Sequence, residues 1–166
     1  NPGLFLQADS GGGMAAPGIA AAGGDAGPQR RGHGLEDAVS RPALAAGELV
    51  VCDRFYDSTT AYQGYGRQLD LDLVRRVVEF AVGDTRPDRT LLLHVPVAVS
   101  EARRQSRAGQ RDRMEEADPA FFRRVEQGYL AIAAAEPQRV RLIDATQSVE
   151  AVGAEVWRAV ADVIAA

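Results

Sequence analysis

The 166-residue chain reads as an α/β protein with a mainly parallel sheet and flanking helices, and three observations predict this. Leu49-Val50-Val51-Cys52, Thr90 to Val95 and Val140-Arg141-Leu142-Ile143 are apolar runs too short for helices, and the first two suit strands buried on both faces. Helical patterns separate and follow these runs, and strands alternating with helices are what parallel β-α-β connections require. The length is that of one domain with enough chain to bury a core.

Taken in order, the first stretch is the least regular. Ten of the 17 glycines fall in residues 1–34, with seven alanines and three prolines, so 20 of those 34 residues are Gly, Ala or Pro. One apolar run, Leu4-Phe5-Leu6, offers little to bury, and an irregular segment is expected. Residues 35–166 read as the folded domain. Leu35, Ala38 and Val39 share a helical face, with Gly47 as a stop. After the first strand, residues 54–69 are polar and include Gly64 and Gly66. Asp70 caps a helix carrying Leu73, Val74, Val77 and Ala81, closed by Gly83. Pro96 ends the second strand, and a helix from about Val97 runs into the arginine-rich stretch 103–113. Asp118-Pro119 is a cap and first-turn pair for a helix with Phe122, Val125, Tyr129 and Ile132 inward. Pro137 breaks it before the third strand. Ser148 then caps a last helix striped by Val149, Val152, Val156 and Val160.

Charge and composition exclude several classes. There are 23 acidic and 19 basic side chains, a net charge of −4, so nucleic acid is not bound through overall basicity. Every basic residue is arginine and none is lysine. A G-x-x-x-x-G-K-[ST] phosphate loop therefore cannot exist in this sequence, nor can lysine Schiff-base or general-base chemistry. Cys52 is alone, which rules out an internal disulfide and fits a reducing compartment. No apolar stretch is long enough to span a membrane, and Asn1-Pro2-Gly3 opens no signal-peptide pattern. A cytoplasmic protein without nucleic-acid or membrane partners is expected.

In parallel sheets ligands sit beyond the carboxyl ends of the strands. Asp53-Arg54-Phe55 stands there after the first strand. An Asp at that place can hold hydrated Mg²⁺, and an Arg can clamp a phosphate with two hydrogen bonds. An ordinary strand-end ion pair would use the same residues. The following stretch, Asp57 to Arg67, adds hydroxyls, an amide, an aromatic ring, glycines and another cation. These are the parts needed to hold a nucleoside monophosphate.

The order of those parts resembles bacterial thymidylate kinases. The matching blocks are Asp53-Arg54-Phe55-x-x-Ser58-Thr59-x-Ala61-Tyr62-Gln63-Gly64-x-Gly66-Arg67, Arg86-Pro87-Asp88-x-Thr90-Leu91-x-Leu93 and Asp112-Arg113-Met114-Glu115. Two more follow in family order, Phe121-Phe122-x-Arg124-Val125-x-x-Gly128-Tyr129-Leu130 and Ile143-Asp144-Ala145-Thr146-Gln147-Ser148. Together they cover about residues 35–164.

The resemblance implies phosphorylation of dTMP to dTDP with ATP and Mg²⁺, a step toward dTTP, in a homodimer. It implies that Arg54 holds the phosphate of dTMP and that Asp53 acts through the metal or its waters. Thr59 and Gln63 would meet the thymine edge, with Ser58 in the same substrate-binding set. Tyr62 would pack on the deoxyribose where a 2′-hydroxyl clashes. A lid over about 103–116 would bring an arginine to the ATP phosphates; because Ala108 stands where many relatives carry that arginine, Arg107 or Arg111 would take the role, with Arg113 in the same catalytic set. His94 replaces the usual Asp after the leucine strand and reads as a structural residue. Cys52 reads as core.

The resemblance also implies parts that residues 1–34 do not match, namely a first strand, a phosphate loop and the elements that follow it. Gly13 to Gly18 mimics the glycine spacing, but Ile19-Ala20 stands in place of Lys-Ser/Thr. A P-loop-kinase-like sheet lacking its first strand and loop is therefore expected, with Leu4 to Leu6 as a possible partial substitute. An out-of-frame reading of a GC-rich gene, or a truncated natural homologue, would give such a segment. The chain as written is then expected to be inactive. The alternative is a non-catalytic dTMP-binding or dimerisation homologue, while Tyr62-Gln63 argues against a phosphotransferase for another substrate class.

Overall fold

The computed structural model describes residues 3–10, 40–105 and 118–165. Four strands, β1 (Phe5–Ser10), β2 (Val50–Asp53), β3 (Arg89–His94) and β4 (Val140–Asp144), form one parallel sheet in the order β2-β1-β3-β4. Between them lie α1 (Arg41–Ala45), α2 (Tyr56–Thr59) running on as a π-helical stretch (Thr60–Gly66), α3 (Leu71–Val82), α4 (Val97–Gln105), α5 (Pro119–Ala135) and α6 (Val149–Ile164). Among the described residues no helix is long and apolar enough to cross a membrane.

The expected absence of a first strand is corrected by β1. It fills the slot between β2 and β3, with Phe5 opposite Val50 and Ala8 opposite both Asp53 and Leu91. Leu4 to Leu6 begin the pairing, which continues to Ser10. The ladder groups of β2 and β3 would otherwise lack partners, and Phe5 and Leu6 bury on opposite faces of the sheet. Tertiary pairing thus overrides a composition that argued for irregular chain.

Phe5 packs with Phe55 and Val82, while Leu92 packs with Ala61, Val125, Tyr129 and Val140. Leu6 and Leu91 meet Val160 of α6 on the opposite side. β3 is buried along nearly its whole length, as read from its leucines. β2 is not: it is an edge strand among the described residues, leaving Leu49 53% and Val51 41% exposed.

Helix boundaries follow the caps. Asp70 accepts from Leu73 N–H at 2.8 Å, Asp118 from Ala120 N–H at 2.9 Å, and Ser148 Oγ from Ala151 N–H at 3.3 Å. Gly83 closes α3 at φ +55°, a conformation that disfavours side chains with a Cβ. On α3, however, Leu73 and Val77 are exposed and Val74 and Val82 are buried, so the helix turns part of its expected core stripe outward. Val149 of α6 is exposed as well.

The polar stretch after Asp53 is helical. Its π-helical part packs along α5, and a Cβ on Gly128 would fall 2.8 Å from ring atoms of Tyr65. Only a glycine permits that approach. Close packing there carries the motif residues over the sheet at its carboxyl side.

Candidate functional site

The site is built outward from the end of β2. Arg54 N–H donates to Ala8 O at 3.0 Å, and Cys52 Sγ donates to Arg54 O at 3.2 Å. Between these bonds Arg54 adopts φ +65°, left-handed backbone that a non-glycine residue seldom adopts and that concentrates at functional sites. Its Nη2 donates to Tyr62 Oη at 3.4 Å, and its guanidinium carbon lies 5.4 Å from the Tyr62 ring centroid. Burial alone would lower the Arg54 pKa, but neighbouring Tyr62 and Asp9 outweigh it and raise the value. The half-buried guanidinium is therefore firmly charged, in a position suited to an anion.

Tyr62 is fixed from two further sides. Its ring meets Phe121 edge-on at 6.0 Å and Tyr129 at 6.4 Å. Thr59 is exposed and Gln63 half-buried, four residues apart on one helical run, so both lie on the same flank. Tyr62 stands between them on that run, with Arg54 over its ring. Ser58 points elsewhere: its Oγ donates to Asp9 Oδ2 at 2.6 Å beneath the helix.

Asp53 is exposed at the strand end. No group of three potential metal ligands occurs among the described residues. A lone hard carboxylate still fits Mg²⁺, which keeps most of its waters and is commonly held by one or two carboxylates and the phosphates of a nucleotide. Arg107, Arg111 and Arg113 lie outside the described residues. α4 leads toward them, and Asp118 caps the helix that follows.

Two buried carboxylates, Asp9 beneath α2 and Asp57 on its inner face, stand outside the motif residues. Asp9 is fully buried at the carboxyl end of β1, and its Oδ2 also accepts from Tyr129 Oη at 2.8 Å. Its Oδ1 has no hydrogen-bond partner among the described residues. Burial raises the Asp9 pKa, against the two hydroxyls and Arg54, which lower it. Burial likewise pushes the Tyr129 hydroxyl well up, and it remains protonated as a donor. Asp57 instead receives Arg139 Nη2 on Oδ1 and Nη1 on Oδ2, both at 2.8 Å, and Thr90 Oγ1 on Oδ2 at 3.2 Å. Arg139 also lies over Tyr56, 5.1 Å from its centroid, and burial pushes the Tyr56 hydroxyl up to about 12.

At the far side, His94 Nε2 lies 2.9 Å from Glu126 Oε1, the structural partnership expected of it. Asp144 accepts from Thr146 N–H at 2.9 Å and from its hydroxyl at 2.6 Å. Cys52 packs partly buried beside Phe5 and Phe55, as a core residue.

The fold is that of a parallel α/β protein, a class in which ligands sit beyond the carboxyl ends of the strands, where Asp53 and Arg54 stand here. A family model described as thymidylate kinase matches residues 32–156. The chain belongs to the thymidylate kinase family. It is 50% identical over 130 residues to a thymidylate kinase of Alcanivorax borkumensis, covering 78% of this chain and 62% of that protein. A Deinococcus radiodurans thymidylate kinase is 48% identical over 124 residues, covering 75% and 60%. One from a Synechococcus species is 52% identical over 122 residues, covering 74% and 57%. The chain thus spans about three-fifths of the length of these curated relatives.

Proposed function

We propose that this chain carries the acceptor side of a dTMP kinase, which transfers the γ-phosphoryl group of ATP to dTMP and releases ADP and dTDP. The observation that carries this reading is Arg54, strained into left-handed backbone at the end of β2 with its guanidinium across the Tyr62 ring. In the reaction a phosphate oxygen of dTMP attacks the γ-phosphorus as its bond to the ADP oxygen breaks. Arg54 clamps the acceptor phosphate, Tyr62 lies against the deoxyribose, and Thr59 and Gln63 meet the thymine edge. Ser58 serves this set from below through Asp9. Mg²⁺, held through Asp53 and water, would neutralise charge on the phosphates. Arg107, Arg111 and Arg113 would supply cations to the same charge, since this chemistry relies on positioning and electrostatics.

The sequence contains no lysine, so the donor phosphates have no Walker-type lysine from these 166 residues. On that ground the chain as written binds dTMP and does not turn it over. Pairing into a homodimer is part of the proposal. Leu73, Val77 and Phe80 form an exposed apolar stripe along α3, with Phe80 92% exposed, and such a stripe favours a partner. The lone Cys52 supports a reducing, cytoplasmic setting.

The test measures dTMP and ATP binding separately, then ADP release, on this chain and on one given a lysine-bearing phosphate loop. Binding of dTMP by both, with turnover confined to the second, is expected. Turnover by the chain as written would overturn the missing-donor claim, and failure of both to bind dTMP would overturn the site.

A further inference from the structure

Asp9 is an unusual residue to bury. It sits at the carboxyl end of the central strand, fully inaccessible, with one oxygen taking two hydroxyl donors and the other taking none among the described residues. A carboxylate that only supported the fold would be expected to have both oxygens satisfied, since an unpaired buried oxygen carries a desolvation cost. The partners of Asp9 lead outward to the site. Ser58 precedes Thr59 on the helix. Tyr129, held by Asp9 through its hydroxyl, presents its ring to Tyr62. Tyr62 in turn lies under the Arg54 guanidinium, whose pKa the nearby Asp9 helps to raise.

We propose that Asp9 is a positioning residue for the acceptor site. Through Ser58, Tyr129 and its charge on Arg54, it sets the Tyr62–Arg54 pair that tells deoxyribose from ribose and holds the phosphate. This rests on the reading of the site as a dTMP site. Asp9 touches no substrate. Its carboxylate fixes the Tyr62 ring from behind and keeps the guanidinium from turning away into solvent. A ring free to retreat would admit a 2′-hydroxyl, and a guanidinium without its counter-charge would meet the phosphate less often in the right orientation.

The test uses calorimetric titration of the full chain and of two variants, Asp9→Asn and Tyr129→Phe. The ligands are dTMP, its ribose counterpart and unphosphorylated thymidine. Asp9→Asn keeps an acceptor oxygen for Ser58 and Tyr129 but removes the charge. Tyr129→Phe keeps the ring but removes one hydroxyl. For Asp9→Asn, dTMP affinity should fall about tenfold with thymidine nearly unchanged, as expected when a charge-assisted contact loosens. For both variants the preference for deoxyribose over ribose should fall by about threefold or more, a ratio that a merely loosened fold leaves alone. Equal weakening of all three ligands, or an unchanged ratio in both variants, would overturn the proposal. If Asp9→Asn does not fold, the ratio in Tyr129→Phe decides it. Failure of the unaltered chain to bind dTMP would refute the site reading, and the proposal with it. An altered chain that matches an unaltered chain binding dTMP normally would refute the role of Asp9 alone.

Discussion

Asp57, on the inner face of α2, and Asp9, beneath that helix on β1, are both buried, but they are held in opposite ways. Asp57 takes a two-pronged guanidinium from Arg139 and a hydroxyl from Thr90, so both of its oxygens are satisfied. Asp9 takes two hydroxyls on one oxygen and, among the described residues, no donor on the other. The first arrangement ties the start of α2 to β3 and to the loop before β4, away from the ligand side of the sheet. The second stands behind Arg54 and Tyr62. A buried polar network that is complete stabilises one conformation, whereas an incomplete one leaves a charge free to act on its neighbours. On the proposed reading of the site, the Asp57 side of this helix serves stability and the Asp9 side serves ligand selection.

The sharpest way to break this contrast is to remove one partner of the complete pair. Arg139→Ala leaves Asp57 charged and buried, with side-chain exposures of 13% and 4% in the intact pair. A loss of about 3–5 kcal/mol is expected, read from urea unfolding. Arg139 is held strongly protonated: burial acts against the charge, but the bonds to Asp57 and Glu136 outweigh it. The dTMP preference of whatever remains folded should be unchanged.

A smaller effect is expected on the incomplete side. Ser58→Ala strips one donor from Asp9 Oδ2 and should destabilise by about 1–3 kcal/mol. Here, unlike at Arg139, dTMP affinity should fall in parallel. A stability loss without any change in dTMP affinity would show that the two halves do not differ as described.

The smallest effect is in pH dependence, where the two sides differ in sign. Burial raises the Asp9 pKa above the ordinary aspartate value of 3.8, so its contribution is fully present below 3.8 and is lost as pH rises through the folded value. Glu136, beside Arg139, has its pKa lowered by that hydrogen bond from the ordinary 4.5. Its contribution is present above 4.5 and is lost as pH falls through the folded value. Relative to the unaltered chain, Asp9→Asn should therefore gain stability as pH rises from about 4 to 7, and Glu136→Gln as pH falls from about 5 to 3. Urea midpoints across that range would show slopes of opposite sign, and slopes of the same sign would contradict the assignment.

Much of this arrangement can be read in the sequence, for reasons that are local. The caps Asp70, Asp118 and Ser148 announce helices because a side-chain oxygen three positions or fewer from an orphan N–H needs no tertiary context. The leucine run in β3 announces a central strand in the same way. The helix at Tyr56 to Gly66 does not announce itself, since paired threonines, tyrosines and glycines are weak helix formers. Tertiary packing against α5 forms it, and Gly128 permits the approach. β1 is concealed by Gln7 and Asp9, polar residues facing the interior of a strand whose pairing is entirely non-local. Arg54 and Tyr62 are legible because they lie in one short motif. Asp9 is not, because its donors stand 49 and 120 residues away and only the topology joins them.

Arg54, set just after β2, is proposed as the anchor for the phosphate of dTMP. Titrating dTMP into the full chain and into Arg54→Ala, while following thermal unfolding of both, tests that role. Saturable binding by the full chain, weakened roughly tenfold to a hundredfold in the variant with an unfolding midpoint shifted by no more than a few degrees, is the predicted result. Equal dTMP binding by both chains, or none by the unaltered one, would contradict it.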